Sequence, residues 1–255
     1  MTAAEKTLDI RRPSKWVAEV WLNRPDVRNA FNDDVIAELT EAFTQLGQDN
    51  DLRAIVLGAH GKAFCAGASF DELISIQDLE TGLAFFSGFA KVINACRKAP
   101  KLIIGRVQGK AVGGGVGLAS ATDYCFATTK ADVKLSELAV GIGPFVVGPA
   151  VERKIGLSAM SELAINATEW RSAQWAKEKG LYTEIYEDEA SLDAAIQTLS
   201  DKLANSNPEA MQELKQIFWQ GTENWDNLLL ERAAISGRLV LSEFTRAAIS
   251  AFKAK

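Results

Sequence analysis

The chain has 255 residues, 47% of them hydrophobic, and a formal net charge of −5. That length supports one large domain, or a domain with an appendage, around a substantial core. The acidic balance argues against nucleic acid as the main partner, since such proteins usually carry a basic face, and no apolar run approaches membrane-spanning length.

The opening text "MTAAEKTLDIRRPSKW" contains no apolar signal core. "WVAEVWL" (Trp16 to Leu22) reads as a strand, and "NRPDVRNAFN" follows as a loop of turn-forming residues. "NDDVIAELTEAFTQLGQD" predicts an amphipathic helix. Asn32 or Asp33 would cap it, and Val35, Leu39, Ala42, Phe43 and Leu46 would line one face. "RAIVLGA" (Arg53 to Ala59) is a short apolar strand, expected to be buried on both sides. The loop "HGKAFCAGASFDEL" leads into helical text through about Lys98. "KLIIGRVQG" is another strand, "GGGVGLASA" a turn running into a short helix, and "DYCFAT" a strand again. From Pro149 onward the text is mostly helical. Gly180 would stop one helix, and Asn207-Pro208 would start another, with Asn as cap and Pro in the first turn.

The alternation of strand and helix predicts an α/β fold with largely buried strands. The helical last third would cover the sheet or join subunits. The expected division is a core at 1–200 and a helical region at 201–255. Three cysteines, Cys65, Cys96 and Cys125, at no metal-like spacing predict reduced thiols in a cytoplasmic protein.

"GKAVGGGVGL", Gly109 to Leu118, has five glycines in ten residues. Glycine is costly in regular structure and is placed where backbone takes unusual angles or comes close to something. Neither familiar phosphate pattern fits. "GRVQGKA" is one residue short of a P-loop and ends in Ala111. Gly113 and Gly115 begin a dinucleotide fingerprint, but Leu118 stands at its third glycine. A second loop, "GKAFCAGASFDEL", also follows a buried strand and sets Ala66, Gly67 and Ala68 in a row. Backbone N–H groups converging from the two loops would form an oxyanion hole, where one donor is typically worth about 10²–10³ in rate. A helix beginning near Gly114 would add its positive end.

In these motifs the sequence resembles the crotonase, or enoyl-CoA hydratase/isomerase, family along nearly its whole length. "LNRPDVRNAFNDDV", "KAFCAGASFDEL", "GKAVGGGVGLASATDYCFA", "KLSELAVGIGPFVVG" and "SEFTRAAISAFKAK" occur in the family's order. The resemblance implies a crotonase-like spiral of ββα repeats, with a helical C-terminal region used in trimers or dimers of trimers. It implies that the N–H groups of Ala66 and Gly114 hold a thioester carbonyl oxygen, and that Glu137 is a catalytic carboxylate. By itself Glu137 reads as a surface charge at a helix start.

Hydratases of the family carry a second glutamate, three residues after the oxyanion glycine. Here that position is Gly117. Losing a positioned acid or base commonly costs about 10²–10⁴ in rate, whereas one carboxylate suffices to carry a proton from C2 to C4 of an enoyl thioester. The resemblance therefore implies an isomerase. Hydration by Glu137 alone, decarboxylation or hydrolysis of a substituted acyl-CoA, and a non-catalytic binding role stand as alternatives. Where the family often has glycines after the proline of "GIGPFVVG", Phe145, Val146 and Val147 replace them and would narrow and dry the acyl pocket, raising the pKa of Glu137.

Arg24, Arg28, Lys62 and Lys255 are candidates for the CoA phosphates. Ala30 and Ala68 are expected to lie along the CoA, and Phe252 near its adenine. His60 beside Cys65 also admits a thiol hydrolase, with cysteine as nucleophile. No cofactor or metal is expected, because coenzyme A arrives as part of the substrate. The expected partners are an acyl-CoA thioester and further copies of the chain, with no nucleic acid and no membrane.

Overall fold

The computed structural model describes residues 6–253. In chain order these form β1 (Leu8–Ser14), β2 (Val17–Leu22), α1 (Asp33–Gln48), β3 (Ala54–Ala59), α2 (Phe70–Ser75), α3 (Leu79–Lys98), β4 (Leu102–Val107), β5 (Ala111–Val112), α4 (Gly114–Ser120), β6 (Tyr124–Thr128), β7 (Val133–Lys134), α5 (Gly148–Ile165), α6 (Ala173–Glu178), β8 (Glu184–Tyr186), α7 (Glu189–Ala204), α8 (Pro208–Phe218), α9 (Trp225–Leu239) and α10 (Glu243–Lys253).

Six strands form one sheet in the order β1-β2-β3-β4-β6-β8. β1 and β2 are antiparallel and the remaining neighbours parallel. A second, small sheet pairs β5 with β7, placing Ala111 opposite Val133 and Val112 opposite Lys134. Single bridges extend it from Cys65 to Ala111 and from Val133 to Arg171, and a further one joins Phe31 to Ala68. Successive stretches of chain therefore give a strand to the large sheet, a short extended piece to the small one, and then helix. The sequence β3, Cys65, α2–α3 does this, as do β4, β5, α4 and β6, β7, α5. This is the spiral of ββα repeats expected from the resemblance.

Local chemistry explains most boundaries. Asn32 caps α1 by accepting the Val35 N–H, and all five expected face residues are buried. Asp78 and Thr81 form a capping box on α3. Gly180, at φ +88°, ends the α6 segment, and Asn207 caps α8 with Pro208 in its first turn. β3 is buried at all six positions, as befits a parallel strand covered on both faces. β1 escapes sequence reading because only Leu8 in it is buried. It is a charged edge strand, which is how natural sheets protect an open edge. β8, three residues long and only half-buried, interrupts the expected helical last third.

The larger core packs α1, α3, α4, α5 and α9 on one face of the main sheet. On the other face Val17, Val56, Ile104 and Phe126 meet Leu192 and Ile196 of α7. Residue 200, the expected division, lies inside that helix. α3 and α9 cross where Gly82 and Gly237 meet backbone to backbone. A Cβ on Gly82 would stand 2.7 Å from the Gly237 oxygen. All three cysteines are buried and free, and among the described residues no helix is long and apolar enough to cross a membrane.

Candidate active site

The two glycine-containing loops meet at the mouth of a cavity of about 340 Å³. Gly67 has φ +84°, and a Cβ there would lie 2.9 Å from the Val112 carbonyl oxygen. Gly113 takes φ 53° and ψ −117° just ahead of α4, and its N–H donates to the Lys134 carbonyl at 2.8 Å. A Cβ on Gly114 would stand 2.7 Å from the Phe89 ring. The glycines are thus required by backbone angle at two positions and by close packing at the third.

The donors the loops offer differ from the expected pair. The Ala66 N–H is engaged by the Arg28 carbonyl at 3.0 Å, so it has no proton for a ligand. The bridge to Phe31 uses the Gly67 carbonyl and the Ser69 N–H, leaving the Ala68 N–H with no acceptor among the described residues. Gly114 opens α4, and its N–H is likewise unpaired. Ala68 and Gly114 both line the cavity. The geometry therefore replaces Ala66 by Ala68 in the expected pair. Because α4 spans only seven residues, its unpaired first-turn N–H matters more here than a long helix dipole.

Glu137 lies in the cavity wall before a single 3₁₀ turn, Leu138–Val140. Its carbonyl accepts the N–H groups of Val140 and Ile142 at 3.2 and 3.0 Å, which fixes the residue's backbone. α10 seals that turn, since a Cβ on Gly141 would meet Phe244 and Thr245. The carboxylate reaches back over Gly113, whose Cβ, if present, would stand 3.0 Å from Oε1. Although the residue as a whole is partly exposed, Oε2 is buried without a hydrogen-bond partner. Burial raises its pKa to about 7, against a smaller lowering by its own backbone hydrogen bond. A carboxyl of this kind changes protonation near neutrality, which suits a proton carrier.

Gly117 lies one turn beyond Gly114 on the same face of α4. A Cβ there would stand 2.5 Å from Val147 Cγ1 and 2.6 Å from Val147 Cβ. Val147, not Gly117, lines the cavity. The space of a second carboxylate is filled with hydrocarbon.

The structure distributes the other expected residues. Arg28, Phe145 and Phe252 line the cavity, and the Phe252 ring lies 6.2 Å from that of Phe70. Arg24 Nη1 donates to the Ala30 carbonyl at 2.9 Å, so both residues brace the opening loop and neither lines the cavity. Lys62 is exposed and also outside the lining. Lys255 lies outside the described residues. His60 pairs with Asp9 at 3.0 Å and stacks on Trp21. The Cys65 thiol, pushed up to about 12 by burial, donates to the Asn29 carbonyl. The thiol hydrolase therefore has neither an ionised nucleophile nor a base beside it.

Sequence reading missed several contributors. Buried Asn29 ties the opening loop to the carbonyls of His60 and Ala63, and the turn-rich "PDVRN" was its only signal. Lys134 lines the cavity and holds its Nζ 4.5 Å from the Trp170 ring centroid. Ser236 also lines it, with no motif to mark it, whereas Val147, which lines it too, belongs to the expected "GIGPFVVG" loop.

A family model described as enoyl-CoA hydratase/isomerase matches residues 12–246. A mitochondrial Δ(3,5)-Δ(2,4)-dienoyl-CoA isomerase of Pongo abelii is 31% identical over 223 residues, covering 82% of this chain and 67% of that protein. The trans-2-decenoyl-[acyl-carrier-protein] isomerase of Streptococcus mutans is 26% identical, covering 84% of each. A crystal structure of an enoyl-CoA hydratase of Mycobacterium smegmatis superposes with a TM-score of 0.81 at 29% identity, covering 98% of this chain and 97% of that one.

Proposed function

The chain belongs to the enoyl-CoA hydratase/isomerase family, and from that premise we propose that it shifts the double bond of an enoyl-CoA with Glu137 as its one proton carrier. The observation that carries this reading is Val147, which occupies the space a second carboxylate at Gly117 would need. Adding water requires one group to activate it and another to deliver a proton to carbon. A single carboxylate in an apolar cavity lacks that division of labour.

In the proposed cycle the thioester carbonyl oxygen accepts hydrogen bonds from the N–H groups of Ala68 and Gly114. Glu137, ionised, removes a proton from C2 of a 3-enoyl thioester. The C–H electron pair moves into the thioester, forming a dienolate whose negative oxygen the two donors hold. Glu137, now neutral, returns the same proton at C4, and the double bond settles between C2 and C3. No water enters and mass is unchanged. The two donors cost no reorganisation as charge develops, because the backbone already holds them in place.

Assembly into trimers or dimers of trimers belongs to the same proposal. It is supported by exposed apolar side chains on the C-terminal helices, including Ile217, Phe218, Leu230 and Phe244. A cytoplasmic location and the lack of any cofactor beyond the substrate's CoA are further parts of the proposal.

The test is a paired assay of short 3-enoyl-CoA and 2-enoyl-CoA esters with products identified by mass. Conversion of the 3-enoyl ester without mass change, abolished in Glu137→Gln, is expected. Gain of water on the 2-enoyl ester at a comparable rate would overturn the isomerase in favour of a hydratase.

A further inference from the structure

The cavity carries a polar group that the proposed proton transfer does not use. Ser236 of α9 lines it and is 1% exposed. The other deeply buried residues in the lining are apolar or glycine. Serines elsewhere on helices, such as Ser120, Ser161 and Ser250, return their hydroxyls to the carbonyl four residues back. Ser236 does not, and its Oγ has no hydrogen-bond partner among the described residues. A buried hydroxyl without a partner is unfavourable.

The helices locate the hydroxyl relative to the chemistry. Phe89 of α3 abuts Gly114, and Gly82 of the same helix meets Gly237, the neighbour of Ser236. Seven residues of helix separate Gly82 from Phe89, a rise of about 10 Å. An extended chain advances about 1.2 Å per bond, so the separation corresponds to on the order of eight bonds.

We propose that Ser236 selects acyl groups bearing a hydroxyl or keto oxygen toward the far end of the chain, on the order of eight bonds from the thioester carbonyl. The proposal rests on the acyl-CoA reading above. Such an oxygen completes the Ser236 hydroxyl's hydrogen bonding, whereas a plain alkyl chain leaves it buried and unpaired. Sites built around a buried polar group discriminate against ligands that lack its partner.

The test measures binding, so it does not depend on turnover. Octanoyl-CoA and its 7-oxo analogue are titrated into the whole protein by calorimetry. Wild type is expected to bind the oxo ester about five- to tenfold more tightly. Ser236→Ala is expected to bind the two alike, and Ser236→Cys, which keeps the volume but donates weakly, to fall between. Equal affinities in wild type, or a preference that survives Ser236→Ala, would overturn the proposal. Absence of binding by either ester overturns it together with the acyl-CoA reading. An intact, Ser236-dependent preference in a protein that fails to isomerise enoyl esters supports it and overturns only the proton-transfer reading.

Discussion

Two walls of the cavity are built alike and do opposite things. Around Gly113 the chain omits a side chain, and the Glu137 carboxylate occupies the freed space. Around Gly117, one turn further along α4, it again omits a side chain, and Val147 occupies the space. Both glycines are buried, one just ahead of α4 and the other inside it, and both make room for a neighbour. One neighbour is a carboxylate whose Oε2 is buried without a partner, and the other is a hydrocarbon. The contrast teaches that the glycine run does not itself specify the reaction; the side chains that fill its hollows do.

Replacing the occupant of the first hollow breaks the comparison most severely. Glu137→Gln keeps the shape and removes the base, so isomerisation should fall by about 10²–10⁴ while affinity for a CoA ester persists, a split read from kcat and a binding titration. Exchanging the occupants of the second hollow comes next. Gly117→Glu alone forces a Cβ into Val147 and buries a charge, and should destabilise the protein by about 3 kcal/mol or more in chemical denaturation. Joined to Val147→Gly, which removes both contacting carbons, it should restore stability and produce measurable hydration of a 2-enoyl-CoA. Retained stability in Gly117→Glu alone would show that the hollow is not filled as described.

The pH dependence sharpens the comparison further. Catalysis needs ionised Glu137, whose pKa stands at about 7. Isomerisation should therefore fall about tenfold for each pH unit well below 7 and level off above it, in a profile of kcat/KM. The same shift has an opposite sign for stability. The folded state holds the proton up to about 7, whereas an unfolded glutamate releases it near 4.5. Stability is thus lost as pH rises from 4.5 to 7 and stays lower beyond. Glu137→Gln removes that loss, and at pH 8 should be more stable than wild type by about 1–3 kcal/mol, allowing for water that reaches the cavity. The equivalent gain should be absent at pH 4, where both forms are neutral.

What the sequence revealed, and what it did not, follows the range of the interactions involved. The α1 face from Val35 to Leu46, the Asn32 cap and the Asn207-Pro208 start are local signals, and the structure keeps each of them. The cavity position of Glu137, the proposed proton carrier, was legible through its motif. The loop was legible too, but not which of its N–H groups stands unpaired. Ala66 and Ala68 look alike in sequence, and what separates them is a hydrogen bond to Arg28, far back in the chain. Val147 was legible as a replacement for a usual glycine in "GIGPFVVG", but that it fills the space beside Gly117 depends on a helix face the text does not show. Arg24 and Lys62 carry the right charge for phosphates, yet one is spent on the Ala30 carbonyl and the other stands outside the cavity.

The meeting of Gly82 and Gly237 fixes how closely α3 and α9 can approach. Each glycine faces the other's backbone, with no side chain to yield between them. Because those helices also contribute Phe86, Phe89 and Ser236 to the cavity wall, the crossing works as the stop on a calliper. A single methyl at either position would wedge the jaws apart and lengthen the gauge without touching any bound molecule. On the proposed function, a change at this joint alters which chains fit without substituting any residue of the candidate site.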